Sequence, residues 1–287
     1  MSYKCILRAA LIGVISVTSC SEDAQEPVTP PGNIPPGKQV SCVVEEIEFR
    51  NGRDQIVAIR EFTYNIRYGN RMETISIVED TGTDVLNLRF QLKYRDELSL
   101  IPFQMDEVFG SNIISSIEFH FDPSGNLSEF TQYKLFDASI PPESHVFIYE
   151  PSTLADDSIN SRIITFDIER LTQNWIDVLP ALFTNGGQRI TRFDRISFRG
   201  DLLEFCDFHY DENGFLEEIQ CRSSDGILTE MWNFSYNKNR LVSAFHQLPN
   251  FRDLAEYEYG SDGKPLFVVS TTDGRFNWKG RYFYLCR

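Results

Sequence analysis

The chain has 287 residues, 13% of them aromatic and 41% apolar, and its 42 acidic side chains outnumber 27 basic ones for a formal charge of −15. That composition suits one large or two small folded domains and excludes wholesale disorder. A pI near 4.7 also argues against nucleic acid and anionic membrane surfaces as partners, because both are recognised by basic patches.

The N-terminus carries the sharpest local signal. Lys4 and Arg8 make a cationic start, and the apolar run from Ala9 to Thr18 is shorter than the roughly 20 residues of a spanning helix, so residues 1–19 read as a signal peptide. The run closes on Val17-Thr18-Ser19-Cys20, which resembles the lipobox of bacterial lipoproteins. The resemblance implies cleavage before Cys20 and lipidation of that cysteine. Removing residues 1–19 takes away Lys4 and Arg8 and no acid, which moves the formal charge from −15 to −17. Ser21-Glu22-Asp23 resembles the acidic tag of some Gram-negative lipoproteins displayed on the outer face of the outer membrane, and it equally suits any acidic tether. Residues 20–40 hold Pro27, Pro30, Pro31, Pro35 and Pro36 with Gly32 and Gly37, a composition that stays extended and buries nothing. The expected protein is an outer-membrane lipoprotein of a Gram-negative bacterium, surface-exposed or periplasm-facing. It touches the membrane through its lipid anchor only, and residues 41–287 form one domain.

From Cys42 on, the apolar period is two, as in Ile117-Glu118-Phe119-His120-Phe121, Leu86 to Leu92 and Trp232 to Tyr236. Such alternation marks half-buried antiparallel strands. Turn residues separate them at Asn51-Gly52, Pro123-Ser124-Gly125-Asn126, Glu212-Asn213-Gly214 and Ser261-Asp262-Gly263. The fold expected is all-β, an antiparallel meander of repeated hairpins forming a barrel or strongly curved sheet, since closure removes exposed edges. One amphipathic helix is expected near residues 168–182. There Ile168, Leu171, Trp175, Val178 and Leu179 share a face between the N-cap Asp167 and Pro180. That face can cap the barrel, cover an edge, or line a ligand pocket at Trp175.

An aromatic closes strand after strand. Tyr68, Tyr94, Phe121 and Tyr149 recur at steps of 26, 27 and 28 residues, and Tyr210, Tyr236 and Tyr259 at 26 and 23. The segments Phe121-Asp122-Pro123-Ser124-Gly125-Asn126-Leu127 and Tyr210-Asp211-Glu212-Asn213-Gly214-Phe215-Leu216 resemble the units of YD-repeat proteins. Lipobox, proline tether and degenerate hairpins together resemble a family of gut-bacterial lipoproteins of unknown function with a porin-like meander barrel. That resemblance covers roughly residues 42–287 and implies a fold but no activity. A membrane-spanning barrel is disfavoured by strand segments of about 5–9 residues, by a tail unlike that of outer-membrane barrels, and by the redundancy of a lipid anchor.

Four cysteines remain, Cys42, Cys206, Cys221 and Cys286, in a compartment that favours disulfides. Three pairings are open. Cys206 and Cys221 flank the turn at residues 212–214, but their numbers sum to 427 where a plain hairpin register gives 425 or 426, so they are expected near one another and diagonal. Cys42 and Cys286 meet only if the first and last strands are neighbours. No zinc spacing is present.

Catalytic signatures are missing: there is no Gly-x-Ser-x-Gly, no phosphate-binding glycine loop and no His-Glu-x-x-His. His120 and His209 hold the same place in the repeat, which argues for structure. Asp156-Asp157 lacks the spaced loop of a calcium site, and Asp157-Ser158-Ile159 resembles a bacterial O-glycosylation acceptor at Ser158. No enzyme activity, cofactor or metal is expected. Two functions remain. One is a non-enzymatic binding module for a glycan or envelope protein, with Trp278, Tyr282 and Tyr284 stacking on sugars. The other is a structural or assembly component with no small ligand. They separate on whether those rings are open or packed.

Overall fold

The structure is a computed structural model that describes residues 42–153 and 187–286, apart from positions 66, 68–70, 81, 83, 98 and 239. Among the described residues run sixteen strands. They are β1 Cys42–Arg50, β2 Ile56–Asn65, β3 Arg71–Asp80, β4 Val85–Lys93, β5 Gln104–Phe109, β6 Asn112–Phe121, β7 Leu127–Lys134 and β8 Glu143–Pro151. The second half holds β9 Gln188–Ser197, β10 Leu202–Tyr210, β11 Leu216–Ser223, β12 Leu228–Asn237, β13 Arg240–Leu248, β14 Phe251–Tyr259, β15 Pro265–Thr272 and β16 Arg275–Cys286. No α-helix occurs among the described residues; the helix expected near residues 168–182 lies outside them.

Each strand pairs antiparallel with its neighbours in the chain, and β1 also pairs with β16, so the meander closes into a barrel without a free edge. Closure needs an even number of strands if both termini are to meet. The direct pairing of β8 with β9, Phe147 opposite Phe193, supplies it.

Alternation sorts the side chains as expected. In β4, Leu88, Phe90 and Leu92 are buried while Asn87, Arg89 and Gln91 are exposed. The buried row forms one core in which solvent does not reach Phe90, Phe130, Phe193 or Trp232, although a sixteen-stranded barrel is wide enough for an aqueous channel. The outward row carries Glu46, Glu48, Glu61, Glu218, Glu256 and Glu258 on four strands. A lipid-facing barrel needs the reverse, an apolar outer band.

Among the described residues one turn is used six times. Asp211 N donates to Phe215 O at 2.8 Å and Gly214 N to Asp211 O at 3.1 Å, with Gly214 at φ 83°. Asp211 Oδ1 accepts from the amides of Asn213 and Phe215. This is a type I turn whose left-handed residue inserts one extra position into a strand. The same backbone bonds recur in the turns opened by Asn51, Asp122, Ser197, Ser223 and Gly260. In the first of these a non-glycine residue, Asp54, holds the left-handed place at φ 61°. A further register shift just past the turn, between Tyr210 and His209, corrects the cysteine register: Tyr210 faces Leu216, but His209 faces Glu218 and Cys206 lies directly opposite Cys221, not diagonal to it.

The two ends of the barrel differ. Odd strands begin and even strands finish at the end that holds Cys42 and Cys286, here the near end; short hairpins close the far end. At the near end the tyrosine closing an even strand donates to a carbonyl at the start of the preceding strand. Tyr64 reaches Val44 at 2.8 Å, Tyr94 reaches Met72 at 2.6 Å, and Tyr149 reaches Leu127 at 2.7 Å. Tyr210 reaches Ile190, Tyr259 reaches Leu241 at 2.7 Å, and Tyr284 reaches Pro265 at 2.8 Å. β6 has Phe121 in this place, and in β12 Tyr236 packs on Phe215 with ring centroids 5.0 Å apart. In β2 it is Tyr64 that holds the repeat position; Tyr68, expected there from spacing, lies outside the described residues.

Candidate functional site

One pleat below the far-end rim, the inward row turns polar. Arg60 is 1% exposed with its guanidinium 4.6 Å over the Phe49 ring. Burial pushes the neighbouring Glu79 carboxyl up, and the Arg60 charge pulls it partly back. Further round, burial raises Glu107 and lowers Lys134, and each is partly offset by the other's charge. Arg195 on β9 bridges Glu143 on β8 and Glu204 on β10, both at 3.4 Å. Thr229 Oγ1 donates to Glu204 at 3.2 Å. His246 Nε2 lies 2.9 Å from Glu230, which also accepts from Trp232 Nε1 at 2.9 Å. The imidazole of His246 stacks on Trp232 at 3.8 Å, and His145 stacks on Phe130 at 4.5 Å.

Asp253 on β14 ends this belt, opposite His246 on β13 and Thr272 on β15. It is 1% exposed, and neither carboxylate oxygen meets a hydrogen-bond partner of ordinary geometry. Burial pushes its carboxyl up to about 7; the nearby Thr272 hydroxyl draws it down and Asp273 adds to the rise. Sequence reasoning missed this belt. The signal was present: His145, Glu204, His246 and Asp253 all fall on the inward beat of their strands.

Above the belt the rim is apolar and open to solvent. Val85, Phe109, Phe136, Phe198, Ile227 and Phe276, on six different hairpins, are between 48% and 67% exposed. The segments linking strands at this end contain Asp54, Asp84, Asp137, Asp201, Asp225 and Asp273 against Arg53 and Arg199. The near end has the opposite character. Its tyrosine rings sit under cations, with Arg71 4.2 Å over Tyr94, Arg189 4.8 Å over Tyr210 and Lys264 5.5 Å over Tyr284.

The cysteines meet in pairs: Cys42 is bonded to Cys286 across the seam, and Cys206 to Cys221 across the β10–β11 hairpin. Trp278 and Tyr282 are each 5% exposed, Trp278 edge-on to Phe49 at 5.0 Å, and Tyr284 is half-buried with its hydroxyl bonded. Trp278 and Tyr282 belong to the core and Tyr284 packs against it, an arrangement that disfavours stacking on a sugar. Cys20, Ser158 and Trp175 lie outside the described residues. Among the described residues no group of three or more His, Cys, Asp or Glu side chains is arranged to hold a metal.

A closed antiparallel meander barrel with a filled interior and a polar outer wall is the class that fold and site define. Among solved structures the chain is similar to a porin-like protein from Bacteroides uniformis, at 9% identity and a TM-score of 0.49, over 84% of this chain and 96% of that one. It is also similar to the Tc holotoxin pore of Photorhabdus luminescens, at 10% identity and a TM-score of 0.27, over 77% of this chain and 12% of that one. The TcdB2-TccC3 structure without its hypervariable C-terminal region gives 10% identity and 0.27, over 79% and 13%. No protein-family profile and no curated protein matches the chain. The likenesses to gut-bacterial lipoproteins and to YD-repeat units rest on the sequence patterns alone.

Proposed function

We propose that the protein is a non-enzymatic binding module of the bacterial envelope, anchored through lipidated Cys20 to the outer membrane of a Gram-negative cell and engaging an envelope protein. The observation that carries this reading is the asymmetry of the barrel. The folded chain starts and finishes at the near end, while the exposed apolar side chains gather at the far end. Paired cysteines favour an oxidising compartment, and the charged outer wall favours a barrel that stands in water on its tether. Burial of Trp278 and Tyr282 favours a protein over a glycan as the ligand. The same burial also suits the second reading, an assembly component with no small ligand.

Both parts are open to test in cells. Cys20→Ala should abolish fatty-acid labelling and release the protein from the membrane fraction; continued labelling sinks the anchor. Photo-crosslinking residues at Phe198 on the far end, Glu256 on the wall and Asp262 on the near end should give discrete crosslinked products. Silence at all three positions removes the binding reading and leaves the structural one.

A further inference from the structure

Nothing in the core, the seam or the tyrosine girdle accounts for the far-end rim. Eleven of the fifteen exposed large apolar side chains among the described residues lie there, so the exposure is concentrated, not scattered. Because the six named above sit on different hairpins, they form a ring and not a stripe. Apolar groups held in water in such numbers mark a contact surface, and the four phenylalanines among them are of the type that anchors interfaces. The linking segments add six Asp against two Arg, which makes the ring apolar and acidic at once.

We infer that the far end docks an exported protein that presents Lys or Arg side chains around an apolar face. The apolar groups pack on the ring and the cations meet the acidic turns. This rests on the binding-module reading and adds the partner's chemistry. Charge complementarity selects this occupant over two others. An anionic lipid surface is repelled by the acidic turns and by the formal charge of −15. A second copy docking through its own far end would bring like-charged turns together.

The test uses the full-length chain carrying Cys20→Ala, so that no acyl group competes. It is titrated with a fluorescent amphipathic Leu/Lys peptide, its Leu/Glu counterpart and phosphatidylcholine vesicles. Saturable Leu/Lys binding is expected, weakened by about tenfold in Phe198→Ser/Phe276→Ser, less strongly in Asp201→Asn/Asp225→Asn, and by added salt. Phe205→Ser/Phe283→Ser, on the outer wall, should bind as the parent does. Equal binding of the Leu/Glu peptide, full binding by the ring variant, or no binding of any probe overturns the inference. Vesicle binding in preference to the peptide assigns the ring to a membrane surface, and self-association lost with Phe198 and Phe276 assigns it to a second copy; either result also overturns it. Crosslinks in cells from Glu256 or Asp262 but not from Phe198 would leave the binding-module reading standing while this inference fails.

Discussion

The near and far ends are built from the same hairpins and differ in what their side chains do. At the near end each of six tyrosine hydroxyls closes on a backbone carbonyl, and the seam is bonded through Cys42 and Cys286. At the far end Phe198 and Phe136 stand in solvent, and Asp253 is buried with no hydrogen-bond partner of ordinary geometry. Hydroxyls bonded at one end and apolar rings left in water at the other are what a module needs if one end holds the fold and the other makes contacts. The contrast yields a graded set of expectations for stability.

The largest effect should come from the seam. The Cys42–Cys286 bond spans 244 positions and Cys206–Cys221 spans 15. In the chain-entropy account the longer loop constrains the unfolded chain by about 5 kcal/mol and the shorter by about 3 kcal/mol. Cys42→Ser/Cys286→Ser should therefore lower the urea midpoint more than Cys206→Ser/Cys221→Ser. The reverse order would mean that the seam is held mainly by its strand pairing.

Asp253 should give the second effect, with the opposite sign. Its folded-state pKa of about 7 lies above the ordinary 3.8, so the native state keeps a proton that the unfolded chain releases. Stability then falls as pH rises from about 4 to about 7 and is level above that. Asn carries no charge and escapes the loss. Asp253→Asn should be more stable than the parent by roughly 4 kcal/mol at pH 8 and by little at pH 4. His246 and Asp273 face the site in both proteins. A pH-independent difference would show that Asp253 ionises freely in the fold.

Gly280 on β16 tests how closely the wall is packed. A Cβ there would lie 2.9 Å from Val268 Cγ1 and 3.2 Å from the Phe49 ring. Gly280→Ala should destabilise by about 1–3 kcal/mol through overpacking, read as a lower thermal midpoint. Phe49→Leu should restore part of the loss by vacating one side.

Strand alternation and turn residues made the fold legible before any coordinates. The period of two in Leu86 to Leu92 and the Asx-Gly turns fix local geometry through nearest neighbours, and those expectations match the barrel. Register was less legible. The expected diagonal Cys206–Cys221 relation failed because a second register shift, between Tyr210 and His209 and one pair beyond the Gly214 turn, moves every later pair by one residue. The polar belt was legible only in part: the inward beat marks its side chains one by one, but Glu143, Arg195 and Glu204 come together only when β8, β9 and β10 align, a relation between strands that no single window contains. Trp278 illustrates the same gap, since an aromatic on a strand reads alike whether its face is open or covered by Phe49.

The smallest effects compare the two ends directly. Tyr149→Phe removes only the hydroxyl that reaches Leu127 and leaves the ring in place, so the loss should be about 1 kcal/mol, the net worth of one hydrogen bond. Phe198→Ser removes a larger side chain, but one that is 58% exposed, and its stability change should stay within about 0.5 kcal/mol. Deleting one oxygen at the near end is thus expected to matter more for folding than deleting a whole ring at the far end. Equilibrium unfolding of the two variants side by side decides it. If Phe198→Ser proves the more destabilised, the far-end ring belongs to the fold, and its exposure is not reserved for a partner.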